Sequence, residues 1–390
     1  MNLAKKTFKN SALELVVFLG LVSLFADVTY EGARSINGQY LAIFGAGATV
    51  VGIVAGLGEL IGYTLRLVSG YIADKTGRYW IITIIGYTIN LLVVPLLAFA
   101  GCWQMAALLM VSERIGKSIR TPARDVILSS ATKNIGRGWG FGLHEALDQI
   151  GAVTGPLIAA LILGFKGSYQ SCFLLFLVPA ILALSILFLA QYTYPNPIAF
   201  EVEKVKVETK GFSKSFWLYI IAVGLVAAGY ADFPLIAYHL KKVSIGHEEW
   251  IPAFYALAMS VDAISALFFG RMFDKVGVFI LAVVVCLSSF FAPLVFFGNL
   301  PLVILGMILW GIGMGVQESI MRAYIAETVS INKRGTAYGI FNSFYGLFWF
   351  LGSVLMGILY DVSISYLVIF SVIIQLASIP IFLLINFKKV

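Results

Sequence analysis

The sequence predicts an all-α membrane protein with twelve transmembrane helices in two six-helix halves. Hydrophobic residues make up 60% of its 390 residues and charged residues only 12%, which is far from the balance of a soluble globular domain. A helix needs about 20 mostly apolar residues to cross a bilayer. Five runs carry no charge at all, and three of them are long enough for more than one crossing: 79–112, 167–200, 276–317, 335–360 and 362–387. Unbroken apolar runs do not fit the alternating strands of a membrane barrel.

Charges, glycines and prolines divide the chain into the individual helices. In order, helices 1 to 12 are predicted at 11–34, 45–72, 79–100, 103–126, 138–163, 169–192, 214–240, 249–272, 278–298, 301–328, 335–360 and 364–387. The one long polar segment, 194–213, is predicted to be a cytoplasmic linker between an N-terminal bundle, 1–193, and a C-terminal bundle, 214–390. The three cysteines are far apart in apolar segments, so we predict neither a disulfide nor a metal site.

Lysine and arginine predict the orientation, because cytoplasmic loops carry an excess of them. With a cytoplasmic N-terminus, seventeen of these residues fall on the cytoplasmic side and four on the other, which are Arg34, Lys166, Lys241 and Lys242. Both termini are therefore expected in the cytoplasm and the protein in the inner (plasma) membrane. The net charge of +7 then faces anionic lipid, and no nucleic-acid partner is expected.

Two loops repeat about two hundred residues apart. The segment 70–79 reads Gly-Tyr-Ile-Ala-Asp-Lys-Thr-Gly-Arg-Tyr, and 270–277 reads Gly-Arg-Met-Phe-Asp-Lys-Val-Gly. The first resembles the loop between helices 2 and 3 of the major facilitator superfamily of transporters, and the second its weaker counterpart between helices 8 and 9. This resemblance covers essentially the whole chain. It implies two parallel six-helix repeats, a substrate site near the middle of the membrane between them, and a monomer.

Helix 4 carries six charges on a stripe roughly 140° wide. They are Glu113, Arg114, Lys117, Arg120, Arg124 and Asp125. Charges at membrane depth are costly, so this stripe is expected to face partners or a watery cavity. Arg114 matches the superfamily's helix 4 arginine, which the resemblance links to proton movement or substrate binding. Arg120 or Arg124 is a candidate partner of Asp74 in a cytoplasmic gate. The alternative is an ion-pair network that only holds helices together.

Helix 5 resembles the superfamily's antiporter motif. Gly142, Gly151 and Gly155-Pro156 have the motif's spacing, although alanines replace its final glycine pair. Small residues let helices pack closely and the proline permits a bend. The resemblance favours export by antiport over generic tight packing, which stays the alternative.

Acids in the first five helices are the candidates for proton coupling, because burial raises the proton affinity of a carboxylate and a nearby arginine lowers it. The proton-coupling set is Asp27, Glu31, Glu145, Asp148, Glu113 and Arg114. The predicted substrate-cavity set is Arg34, Glu59, Arg66, Lys117, His144, Tyr230, Asp232 and Tyr345. The predicted cytoplasmic gate is Asp74, Arg78, Arg120, Arg124, Asp274, Glu318 and Arg322, in which Glu318 and Arg322 are spaced to pair with each other.

The leading hypothesis is a secondary transporter that exports a small polar or amphiphilic solute in exchange for protons, by alternating access and without a cofactor. The chain lacks a phosphate-binding G-x-x-x-x-G-K-[ST] loop, which argues against an ATP-driven pump, and nothing in it favours an enzyme. The buried cations favour an anionic or zwitterionic solute over a purely lipophilic one. Alternatives are a proton-symporting importer, a metal-ion exporter and a non-transporting membrane receptor.

Overall fold

A computed structural model describes residues 2–132, 137–196, 211–329 and 333–385, and within these ranges it leaves out the side chains of 2–10, 137–138, 274, 322–323, 326–327 and 335. The described part contains twelve helical elements in the predicted order. They are α1 (Asn2–Ile43), α2 (Ala48–Thr76), α3 (Tyr79–Leu96), α4 (Trp103–Thr132), α5 (Arg137–Gly164), α6 (Tyr169–Leu175 and Leu177–Thr193), α7 (Lys214–Gly229 and Phe233–Val243), α8 (Trp250–Val276), α9 (Phe279–Ser288 and Phe291–Phe297), α10 (Leu300–Thr328), α11 (Arg334–Val362) and α12 (Ile364–Leu384).

Length and apolarity qualify eleven of these described elements to cross a membrane. The exception is α4, which is long enough but carries the six-charge stripe. The predicted fold class, an all-α membrane protein with twelve helices, is confirmed. The membership of α4 in the bundle is decided by its packing against neighbouring helices, not by its hydropathy.

Several predicted helix ends fall short of the observed ones. Helix α1 continues to Ile43, so Arg34 lies inside a helix and not in the outer loop where the charge count placed it. Helix α2 continues through Asp74 to Thr76, and the charged turn is reduced to a short link at Gly77, whose φ of +65° suits glycine. Gly277 ends α8 in the same way, with φ of +69°.

The helices form two compact units. The first comprises Met1–Arg34 and Thr64–Lys204, and the second comprises Ser35–Tyr63 and Val205–Val390. The end of α1 and the first half of α2 therefore pack with the C-terminal helices. The predicted division into bundles at 193 and 214 stays a prediction, and the linker residues 197–210 lie outside the described part.

Glycines bring helices of the first unit into backbone contact. A methyl group added to Gly86 of α3 would lie 2.5 Å from the backbone nitrogen of Arg120 in α4. On α5, a methyl at Gly151 would lie 2.9 Å from Cβ of Asp27, and one at Gly155 would lie 2.8 Å from the nitrogen of Gly32 in α1. The glycine spacing on α5 thus fixes the contact between α5 and α1.

The second unit uses the same device between α2 and α11. A methyl at Gly56 would lie 2.9 Å from Cβ of Ser353, and one at Gly357 would lie 2.6 Å from the carbonyl oxygen of Ala48. At the end of α11, the Asp361 carboxylate accepts hydrogen bonds from the Thr49 nitrogen at 2.9 Å and the Thr49 hydroxyl at 2.6 Å. An acidic group at a helix N-terminus is favourable, so Asp361 anchors the start of α2.

Replacing Gly151 by alanine tests the contact between α1 and α5. The added methyl has no room beside Asp27, so we expect a loss of about 1–3 kcal/mol in stability. Gly142→Ala on the same helix is the matched control, because a methyl there meets nothing within 4 Å. Thermal unfolding in detergent measures both variants, and equal unfolding temperatures would contradict this packing.

Candidate functional site

The charged stripe of α4 faces the interior of the first unit. Arg120 is only 1% exposed and Glu113 is 8% exposed. The side chains of Arg114 and Lys117 are also largely covered, whereas that of Asp125 is 46% exposed. The predicted stripe is therefore buried against neighbouring helices except at its last member.

Glu31 of α1 stands between two basic side chains. Its carboxylate lies 3.7 Å from Nζ of Lys117 and 4.0 Å from Nη1 of Arg34. Tyr30 is the next residue before Glu31. The Lys117 ammonium lies 3.9 Å from the centroid of the Tyr30 ring, and the Arg120 guanidinium lies 5.6 Å from it. Cation–π contacts of this kind stabilise charges that are removed from water. One proton-coupling candidate and two cavity candidates thus form a single cluster.

Asn90 of α3 links an acid and a base of α4. Its amide nitrogen donates to Oε1 of Glu113 at 2.6 Å, and its amide oxygen accepts from Nε of Arg120 at 3.2 Å. Glu113 also lies 3.3 Å from Nε of Arg114, and the Arg120 guanidinium stacks 4.2 Å above the centroid of Tyr87. Asn90 is fully buried, so these hydrogen bonds have no competition from bulk water.

Ser23 joins α1, α4 and α5. Its hydroxyl accepts from Nη1 of Arg124 at 3.1 Å and lies 3.0 Å from Nε2 of the buried His144. Arg124 is paired at the same time with Asp125 at 2.8 Å. His144 therefore belongs to the same polar interior as the α4 stripe.

Asp27 and Asp148 form the third part of the interior, where α1 meets α5. Asp27 is 3% exposed, and the two carboxylates are within electrostatic reach of each other. Each has an Oδ1 atom that is buried without a hydrogen-bond partner among the described residues. Asp148 lies one turn before Gly151, which is the residue that holds α5 against Asp27. Two acids of the predicted proton-coupling set are thereby placed together.

Other predicted members lie elsewhere. Glu145 is on an exposed part of α5, away from the buried His144. Glu59 and Arg66 share α2 but are half-buried and belong to different units, the second and the first respectively. The structure thus brings Asp27, Glu31, Glu113 and Asp148 into the interior of one unit and leaves Glu145 at its surface.

Among the described side chains, Asp74 of the predicted gate is not paired with Arg120 or Arg124. Asp74 is exposed and accepts from the Tyr79 hydroxyl at 3.1 Å, while Arg120 and Arg124 have the partners given above. Arg78 and Glu318 are exposed. The side chains of Asp274 and Arg322 lie outside the described part, and with them the expected Glu318–Arg322 pair. A gating role for these residues stays a prediction.

The second unit contains a broken helix at the predicted cavity residues. Helix α7 is interrupted between Gly229 and Phe233, and the carboxylate of Asp232 turns to α11, where it accepts from Trp349 Nε1 at 2.7 Å and Ser353 Oγ at 3.1 Å. Tyr230 in the break is fully buried and donates to the carbonyl of Trp310. Tyr345 is also buried, and its hydroxyl donates to Oε1 of Gln317 at 3.0 Å.

Sequence reasoning missed the neutral partners of the charged residues. Ser23, Tyr30, Tyr87 and Asn90 each contact a charged side chain of α4. The one available signal was Asn90, an amide in the middle of an otherwise apolar, uncharged run. Within the residues that the structure describes, no group of three His, Cys, Asp or Glu side chains is arranged to hold a metal ion.

Comparison with known proteins identifies the relatives of the chain. The family model of the Major Facilitator Superfamily matches residues 17–353 and 233–389. An uncharacterized protein of Mycobacterium tuberculosis is 38% identical over 387 residues, covering 97% of this chain and 95% of that protein. An uncharacterized MFS-type transporter of Methanocaldococcus jannaschii is 29% identical over 377 residues, covering 93% and 92% respectively.

A solved structure agrees with the fold. A mutant of the nucleoside transporter NupG superposes with a TM-score of 0.77 at 16% identity, over 94% of this chain and 99% of that one. At this identity the likeness concerns the fold alone.

Asn90→Ala tests the buried link between Glu113 and Arg120. It removes a donor from a carboxylate and an acceptor from a guanidinium, so we expect a loss of about 1–3 kcal/mol in stability. Thr83→Val on the same helix is the control, since the buried Thr83 hydroxyl has no hydrogen-bond partner among the described residues and valine has nearly its shape. Thermal unfolding in detergent compares the two, and an Asn90→Ala protein as stable as Thr83→Val would contradict the link.

Proposed function

The chain belongs to the major facilitator superfamily, a family of membrane transporters and not of enzymes, and we propose that it exports a small polar or amphiphilic solute in exchange for protons. The proposal places the protein in the inner membrane as a monomer, with both termini in the cytoplasm. It is supported by the charge distribution of the loops and by the buried ionisable groups of the first unit.

The pairing of Asp27 with Asp148 is the observation that carries the proposal. Two carboxylates that are near each other repel when both are charged, and a proton bound between them relieves that repulsion. Gly151 holds the two helices at the distance that makes the acids neighbours. A pair that binds one proton and releases it when its surroundings change is suited to proton coupling.

Basic side chains near Asp27 can change the electrostatic surroundings of the acid pair. Lys117 and Arg120 are both within electrostatic reach of Asp27, and positive charge favours release of the proton. Lys117 is at the same time held by Glu31 at 3.7 Å. A solute that brings a cationic group beside Asp27 therefore favours proton loss, which is the competition that antiport requires.

The glycine series of α5 supports export over import. Gly151 and Gly155 make α5 pack against α1 at the level of Asp27, and Pro156 follows directly within the helix. The antiporter-type spacing therefore coincides with the acid pair, and the same helix carries Asp148. In the second unit, we assign contact with the solute to the broken part of α7, through Tyr230 and Asp232, and to Tyr345.

Transport by purified protein in vesicles tests the proposed function. Protein is reconstituted with an internal pH-sensitive dye, a pH gradient is imposed, and three probes are offered: uridine, the zwitterion taurine and the lipophilic cation ethidium. We expect a probe to move against the direction of proton flow. Asp27→Asn and Asp148→Asn should each abolish proton-driven accumulation, because an amide cannot carry the proton. Glu14→Gln is the control, since Glu14 is an exposed acid on the same helix as Asp27.

The other outcomes separate the alternatives. Movement of probe and protons in the same direction would show a symporter. Flux that Asp27→Asn leaves intact would remove the acid pair from the mechanism. Binding of a probe without any flux would favour a membrane receptor built on the transporter fold.

A further inference from the structure

Arg120 is a buried cation with an incomplete set of partners. Its side chain is 1% exposed, and its Nη1 atom is buried without a hydrogen-bond partner among the described residues. Among the described residues, only its Nε atom donates a hydrogen bond to a side chain, the neutral amide oxygen of Asn90 at 3.2 Å. Buried charges are normally paired with an opposite charge or coordinated, because an isolated ion away from water is very costly.

Three acids of the first unit are engaged with other cations. Among the described side chains, no carboxylate lies within 4.0 Å of the Arg120 guanidinium, the distance limit for a salt bridge. Glu31 is paired with Lys117, Glu113 with Arg114, and Asp125 with Arg124. Arg120 therefore differs from the other cations of the α4 stripe. Its described contacts are tyrosine rings and an amide, whereas Arg114, Lys117 and Arg124 each contact a carboxylate.

A second donor lies beside Arg120 and is also unused. Tyr87 of α3 is fully buried, and its hydroxyl has no hydrogen-bond partner within the described part of the chain. The Arg120 guanidinium sits 4.2 Å from the centroid of this ring and 5.6 Å from that of Tyr30. Gly86 leaves room for the backbone of Arg120 and so sets the side chain at this depth. The Arg120 Nη1–H and the Tyr87 O–H are thus two donors without an acceptor among the described residues, and a negatively charged acceptor would suit both.

We propose that Arg120 and Tyr87 form a binding site for an anionic group in the interior of the first unit. The occupant is a small inorganic anion such as chloride, or the carboxylate or phosphate group of an organic solute. The chemistry is shared: a compact anion accepts from Nη1 of Arg120 and from the Tyr87 hydroxyl, and it neutralises the guanidinium. The proposal rests on the geometry of these two residues and not on proton coupling.

Charged groups of two helices act on Arg120. Asp27 of α1 and both Lys117 and Arg124 of α4 are within electrostatic reach of it. Lys117 and Arg124 each have an acid at salt-bridge distance, whereas Asp27 lies beyond that distance from Arg120. A bound anion would supply the close opposite charge that Arg120 lacks among the described residues.

Thermal unfolding of the full-length protein in detergent tests the site. The protein is kept in sodium gluconate of constant ionic strength, and part of the gluconate is replaced by chloride, acetate or methyl phosphate. We expect a saturable rise in the unfolding temperature with at least one of these anions, because a ligand that binds only the folded state stabilises it. A response to chloride identifies a free inorganic anion, and a response to acetate or methyl phosphate alone identifies the head group of an organic solute.

Two variants and one control test whether the anion-dependent rise in unfolding temperature comes from this site. Arg120→Gln should abolish it, and Tyr87→Phe should shift the midpoint to a severalfold higher anion concentration. Tyr87→Phe removes only a hydroxyl that has no hydrogen-bond partner among the described residues, so it should fold normally even where Arg120→Gln does not. Lys75→Gln is the control, because Lys75 is an exposed cation at the end of α2 in the same unit, and it should keep the anion response.

The site is wrong if none of the three anions raises the unfolding temperature, or if Tyr87→Phe responds as the unaltered protein does. Neither result affects the acid pair, because no pH gradient and no transported probe enter this measurement. Conversely, loss of proton-driven flux from the vesicles would leave an anion-dependent stabilisation through Arg120 unchanged.

Discussion

The cost of placing charge inside a membrane governs this protein. The first unit buries Asp27, Glu31, Glu113, Lys117 and Arg120 in helices that otherwise consist of apolar residues. Such groups are tolerated only when they find partners or a watery cavity. The helices of this unit are arranged so that most of these charges meet an opposite charge, an amide or an aromatic ring. Oδ1 of Asp27, Oδ1 of Asp148 and Nη1 of Arg120 have no hydrogen-bond partner among the described residues, and these atoms mark the places where chemistry is expected.

Close helix contacts make that arrangement possible. Gly86 and Gly116 bring α3 and α4 together, so that Asn90 reaches both Glu113 and Arg120. Gly151 does the same for α1 and α5 and places Asp148 near Asp27. Because lipid tails are as apolar as leucine, burial gives little drive for association in a membrane, and close packing matters more. The glycines therefore position the ionisable groups as well as hold the helices together.

The sequence allowed the fold class and the order of the twelve helices to be predicted, because apolar length and charged loops are local properties. The stripe of α4 was also predictable, since helical periodicity alone puts its six charges on one side. Pairings were not. Asp74 was a candidate partner of Arg120 or Arg124, and that gate pairing stays a prediction. The contacts of Arg120 with Asn90 and Tyr87 depend on how α3 packs on α4.

Boundaries failed where helices ran past their polar residues. Arg34 was taken to end the first span, but it lies inside a longer α1, 4.0 Å from Glu31, so a charge did not mark a loop. Glu145 and Asp148 were grouped by their spacing on α5, but only Asp148 faces the interior with His144. An arc on a helix does not state which neighbour covers it, and that information is tertiary.

The charge on α4 also bears on how the protein is made. A helix with six ionisable residues is poorly accepted by the insertion machinery as a separate span, since each such residue near the bilayer centre costs about 2.5–3.5 kcal/mol. Helix α3 has no charge of its own and is joined to α4 by a short connection. The two are expected to enter the bilayer as a preformed hairpin, with Asn90 already sheltering Glu113 and Arg120 during biosynthesis.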